Sequence, residues 1–277
     1  MEATINFFKT HFGRSREIAP EIRSVPRNNA IPDSVNQVTT GQVVRTLTLL
    51  ASLLLVANSV VVFIDYLTAY ELKSVSRLVK IFSVDYELNV PAFFSTLILV
   101  FAAVLLAIIT FFKKKQLAPY RWHWAILTCG FIFMAFDEMA SIHERLIEPM
   151  RTVLGGENLG VLFFAWVVPG MAVVIVLGLV FLRFWWNLPA RTRFWVLVAA
   201  VLYLAGAIGM ELFDGSYAEI HGKKNLTYMM LSTIEEGLEM AGIIVLIKAL
   251  IEYIASVFGN VVLSFQLPKT KAWQGIR

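Results

Sequence analysis

Three short segments of this 277-residue chain carry the residue types that hold cations or move protons: Asp137, Glu138, Ser141, His143 and Glu144; then Glu211 and Asp214; then Ser232, Glu235, Glu236 and Glu239. Helical spacing sharpens the pattern. At about 100° per residue, Asp137, Ser141 and Glu144 fall within roughly 60° of one another on a helix. Ser232, Glu235, Glu236 and Glu239 lie within an arc of about 100° on theirs. Glu211 and Asp214, three apart, are neighbours unless Gly215 has ended the helix. Glu138 and His143 point away from the Asp137 stripe if that helix stays regular.

Each segment adjoins or lies inside a long apolar run, which raises the cost of its charge. Even lenient insertion scales assign about 2.5–3.5 kcal/mol to a central Asp, and charges in membrane spans usually face a partner or a water-filled cavity. Like charges brought together disfavour one another's ionisation, so protonation, shared protons or a bound cation must compensate them. The neighbouring apolar runs supply too few Lys or Arg for that. A divalent metal is the economical answer, held by a set drawn from Asp137, His143, Glu144, Glu211, Asp214, Glu235 and Glu239. Glu236 and Glu239 are the residues expected to move protons. Carboxylates with an imidazole suit zinc, manganese or iron, and carboxylates alone suit calcium or magnesium. His221 is a second candidate imidazole. The Glu-x-x-His spacing of di-iron carboxylate bundles and the His-Glu-x-x-His spacing of zinc proteases are both absent.

The general plan of acids, Ser and His gathered from several helices resembles that of polytopic membrane hydrolases of the alkaline ceramidase and adiponectin-receptor type, which hold zinc. The paired His those families carry on a late helix is missing here, and Glu235-Glu236-Gly237-Leu238-Glu239 stands in its place. The resemblance therefore assigns no residue roles.

The elements that must position these groups are transmembrane helices. The chain is 58% hydrophobic with a mean hydropathy of +0.69, above the roughly 45–50% apolar share of soluble domains. Its apolar residues come in blocks of about 20, the length that crosses about 30 Å of hydrocarbon. The spans predicted are 46–68, 91–112, 122–143, 160–183, 194–213 and 227–256: an all-α bundle of about six transmembrane helices, residues 45–258. A polar basic arm, 1–44, precedes it and a short tail, 259–277, follows. Trp122, Trp124, Trp185, Trp186 and Trp195 read as an aromatic belt at a lipid–water boundary. Counted on alternate sides, Lys and Arg number 16 with the termini and 7 opposite, so the positive-inside rule predicts both termini in the cytoplasm. The acidic segments, with Asp65 of the first span, then share the outer half of the membrane. The inner halves hold almost no charge except Lys248, which is expected to snorkel.

The net charge of +4 sits mostly at span ends, with no basic aromatic patch of the kind nucleic acid requires. The expected partners are membrane lipids and a protein met through the basic arm. The plasma or inner membrane is the expected location, an organellar or thylakoid membrane the alternative. The function expected is a membrane-embedded, metal-dependent enzyme acting on an apolar or lipid substrate. A cation- or proton-coupled transporter and a non-catalytic membrane subunit are the competing readings.

Overall fold

The computed structural model describes residues 38–156 and 158–259. Most of the basic arm and nearly all of the tail lie outside the described residues. The described chain is helical throughout: α1 (Thr40–Leu67), α2 (Lys73–Phe82), α3 (Val90–Lys115), α4 (Arg121–Ala140), α5 (Ile142–Leu154), α6 (Val167–Trp186), α7 (Ala190–His221) and α8 (Leu226–Phe258). Five are long and apolar enough to cross a membrane, and α4 with α5, bent by 70° at their junction, makes a sixth span if the pair is counted as one. These are the lengths that 30 Å of hydrocarbon demands, and they are compatible with an integral membrane protein.

Local chemistry sets the helix starts. Thr39 opens α1 with a reciprocal cap: its Oγ1 accepts the Gln42 N–H at 3.2 Å while the Gln42 Oε1 accepts the Thr39 N–H at 2.8 Å. Asn89 accepts the Ala92 N–H at 3.1 Å ahead of Pro91 in the first turn of α3. Asn225 does the same for Tyr228 of α8 at 2.9 Å.

Several stretches read as loops from hydropathy are helical. Residues 73–82 form the amphipathic α2, 142–154 form α5, and α7 runs on through Gly215 to His221. Gly215 does not end the helix; its missing side chain lets Phe163 and Phe164 approach, since a Cβ there would stand 3.2 Å from each. The fourth span starts late, at Val167, after a single tight turn at Gly160–Leu162.

Helix α8 is the axis of the bundle, packing on α1, α3 and α7. Away from the acidic end its contacts are apolar: Ile243, Ile244, Ile247 and Leu250 are buried with Leu99, Leu106 and Ile109 of α3. Trp124 is buried there as well, its ring 5.1 Å from Phe184 and 5.0 Å from Tyr253. It therefore belongs to the core rather than to the belt, whereas Trp122 and Trp186 are exposed. The Lys248 Nζ lies 3.2 Å from Glu252 and 3.6 Å from the centre of the Trp195 ring, and Glu252 also takes Arg191 at 3.1 Å.

Candidate functional site

The geometry of the acidic end starts with a break. Between α4 and α5, Ser141 adopts φ 49° and ψ 48°, a left-handed conformation that costs a residue bearing a Cβ roughly 1–2 kcal/mol. Asp137 offsets it. Its Oδ1 accepts the His143 backbone N–H at 2.9 Å, and its Oδ2 stands 2.9 Å from His143 Nδ1. One carboxylate thus sets the direction of the chain after the break and the orientation of the imidazole. Regular phasing directs His143 away from Asp137, and the break is what folds it back. The stripe shared by Asp137, Ser141 and Glu144 is dissolved by the same break. With Nδ1 engaged, Nε2 is the ring nitrogen left for chemistry.

His143 forms part of the wall of a cavity of about 310 Å³, within the usual size range of small-molecule sites. Seven carboxylates line it: Asp85, Glu87, Glu138, Glu144, Glu211, Glu235 and Glu236, with Lys223, Ser232 and Tyr228 beside them. They come from the segment before α3, the α4–α5 junction, α7 and α8, which brings all three acidic segments to one end of the bundle. Trp166 ties two of them together. Its ring centre lies 4.9 Å from that of His143, and its Nε1–H donates to Glu211 Oε1 at 2.7 Å.

Behind the cavity, Asp214 is 1% exposed, and neither of its carboxylate oxygens receives a hydrogen bond. Its polar neighbour is the Glu235 carboxyl, which in turn neighbours Glu211. Carboxylates are acceptors only, so such a row is satisfied when a proton or a cation sits between its members. Glu239 lies one turn further along α8 and does not line the cavity; the Tyr203 hydroxyl is its neighbour. The π-type segment Ala205–Met210 of α7 presses on the same stretch, a helix irregularity frequent at functional sites. A Cβ on Gly206 would stand 2.7 Å from the Glu235 carbonyl oxygen and 2.8 Å from Glu239 Cγ.

Asp65 and His221 fall outside the cavity wall. His221 is exposed and stacks on Tyr217, ring centres 4.4 Å apart. Asp85 and Glu87, conversely, escape a reading based on spans because hydropathy places them in a loop. The signal that marks them is structural. Asn58, fully buried on α1, donates to Thr233 of α8 at 2.7 Å and accepts the Val84 N–H at 3.2 Å, which pins the 83–89 segment over the site. Tyr228 then donates to Asp85 at 3.1 Å. Loss of surrounding water pushes the Asp85 pKa above its ordinary value, against the pull of Lys223 and Tyr228. Glu87 is raised by the same cause. Both residues still meet solvent at the mouth, so these shifts carry little stability.

Among the described residues, no three His, Cys, Asp or Glu side chains are set around a common point as a finished metal site. Asp137 is held by His143 and Glu211 by Trp166, so gathering an ion requires side-chain rotation. No curated protein and no solved structure matches the chain. A family model covers residues 47–252, from α1 to the last turns of α8 and including every residue that lines the cavity, and on that match the chain belongs to the family described as Domain of unknown function (DUF8692).

Proposed function

We propose that the protein is a membrane-embedded enzyme that uses a divalent cation, held at the carboxylate end of the bundle, to act on an apolar or lipid substrate. The observation that carries this reading is the row Asp214, Glu235 and Glu211, whose buried first member has no donor on either oxygen. Unsatisfied buried carboxylates point to an ion or to a chemical role. The Asp137–His143 pair supports the same reading, because a carboxylate that fixes one ring nitrogen while the other is offered to a cavity is the usual support of a metal-binding imidazole. Glu211, Asp214, Glu235 and His143 Nε2 are the proposed ligands, a mixed set that suits zinc, manganese or iron better than calcium. When bound, the cation would polarise a substrate oxygen or acidify water. Glu236, which lines the cavity, is the proposed proton carrier. On the positive-inside count the site faces the extracytoplasmic side.

A transport pathway would have to continue inward from Asp214, where Ile243, Ile244 and Ile247 of α8 are buried among apolar residues. That apolar floor favours a site entered and left from one end.

Metal content of the purified full chain tests the proposal, together with an Asp137→Ala/Glu235→Ala double variant. Close to one divalent metal per chain, lost from the variant, is the expected result. A metal-free protein, or metal retained in full by the double variant, overturns it.

A further inference from the structure

A second hollow, of about 470 Å³, lies beside the carboxylate cavity. Lys80 and Ile81 of α2, Leu88 and Asn89 ahead of α3, Phe93 of α3 and Met139 of α4 are among its walls. The two hollows share a partition. Ala92 lines both, and the chain neighbours Glu87–Leu88 and Glu138–Met139 each place the acid in the cavity wall and the apolar residue in the groove wall. Phe93, on the spanning helix α3, and Met139, on α4 of the bent α4–α5 pair, are 62% and 50% exposed.

Helix α2 gives this groove a charge preference. Lys73, Arg77 and Lys80 follow one another at helical spacing along one side, while Leu72, Leu78 and Ile81 expose apolar surface. A helix of this kind lies in the headgroup region of a bilayer with its basic side toward anionic groups. Lys80 forms no ion pair among the described residues, and it stands at the rim of a groove whose remaining walls are mostly hydrocarbon.

We propose that this groove is a binding site for a phosphate-bearing lipid, its acyl chain lying along Phe93 and Met139 and its phosphate meeting Lys80. The shared partition makes the groove the lateral approach by which such a lipid reaches the carboxylate cavity, and calling the lipid a substrate rests on the function proposed above. The charge arrangement suits that occupant. The phosphate stays with Lys80, outside a cavity whose own carboxylates would repel it, and the part of the lipid next to the partition is brought toward the cation.

Native mass spectrometry of the purified full chain, titrated with phosphatidylglycerol and with a diacylglycerol of the same chains, tests the site. Phosphatidylglycerol is expected to bind more tightly by roughly fivefold, the effect of one lysine facing an anionic group. Lys80→Gln should abolish that preference and Lys80→Arg should keep it. Met139→Trp, which fills the groove, should weaken both lipids. Equal binding of the two lipids, selectivity that survives Lys80→Gln, or a chain pair that covers the groove in place of lipid would overturn the proposal. None of these readouts depends on metal, so a metal-free protein that keeps the lipid preference rejects the enzymatic reading and leaves the lipid site standing.

Discussion

Gly206→Ala is the substitution whose effect follows most directly from distances. A Cβ at this position would stand 2.7 Å from the Glu235 carbonyl oxygen, 2.8 Å from Glu239 Cγ and 3.2 Å from the Glu239 nitrogen. Ordinary contact begins near 3.4 Å, so the backbones of α7 and α8 must separate by about 0.7 Å at the turn that carries Glu235 and Glu239. Backbone cannot rotate aside as a flexible side chain can. Overpacking of this kind costs about 1–3 kcal/mol, against a gain of about 1 kcal/mol from replacing Gly by Ala in a helix. Gly130 and Gly178, where an added Cβ meets nothing within 4 Å, supply the controls, because there the helix gain acts alone. Thermal unfolding of the purified chain, followed by intrinsic fluorescence, should show Gly206→Ala lowering the apparent Tm and both controls leaving it unchanged or raising it. Metal retained on purification should fall in Gly206→Ala and not in the controls. An apparent Tm for Gly206→Ala that rises with the controls would refute the close approach of α7 to α8 and the positioning of Glu235 and Glu239 that depends on it.

Asn58→Leu should cost about 1–3 kcal/mol, because it strands the buried Val84 N–H and frees Thr233. Amide exchange should accelerate most in residues 83–89, and uniform acceleration along the chain would contradict the strut assigned to Asn58. Asp137→Ala should destabilise by a similar amount through the unpaired His143 N–H and the left-handed Ser141. Asp137→Asn, which keeps an acceptor for that N–H, should recover most of the loss in apparent Tm; equal losses from both would remove the capping role. The acidity of the mouth gives a pH dependence whose sign is fixed. Asp85 and Glu87 are raised above 3.8 and 4.5 in the folded protein, so what they contribute is fully present below those values and is lost as pH rises through the raised ones. In chelator, the apparent Tm should therefore decline, by a small amount because both groups are exposed, as pH rises across the weakly acidic range. Asp85→Asn with Glu87→Gln should flatten that slope, and an unaltered slope would assign it to other groups.

The membrane helices were legible in the sequence because hydrocarbon imposes a length on them, and blocks of about 20 apolar residues leave few alternatives. Alternation of span directions put Glu138, Glu211 and Glu235 at matching ends in the sequence, and all three are among the residues that line one cavity. Helical phasing failed where a side chain competes with the backbone. Nothing in the residues from Asp137 to Ser141 forbids a continuous helix, and it is the Asp137 carboxylate, capping His143, that makes the left-handed Ser141 tolerable. Gly215 misled for a related reason: read as a stop, it is a contact surface for Phe163 and Phe164. Asp85 and Glu87 were invisible because hydropathy sorts residues into spans and loops, while their place over the cavity depends on Asn58, a single polar residue in an apolar helix whose two partners lie 26 and 175 residues away.

The most direct test of the central claim is X-ray absorption spectroscopy of the full chain loaded with zinc or manganese. The expected spectrum shows carboxylate oxygens at about 2.0–2.2 Å with the signature of one imidazole, that signature vanishing in His143→Ala and the metal itself failing to load in Glu235→Gln/Asp214→Asn. A shell made of water oxygens, or the same spectrum in wild type and both variants, would contradict it.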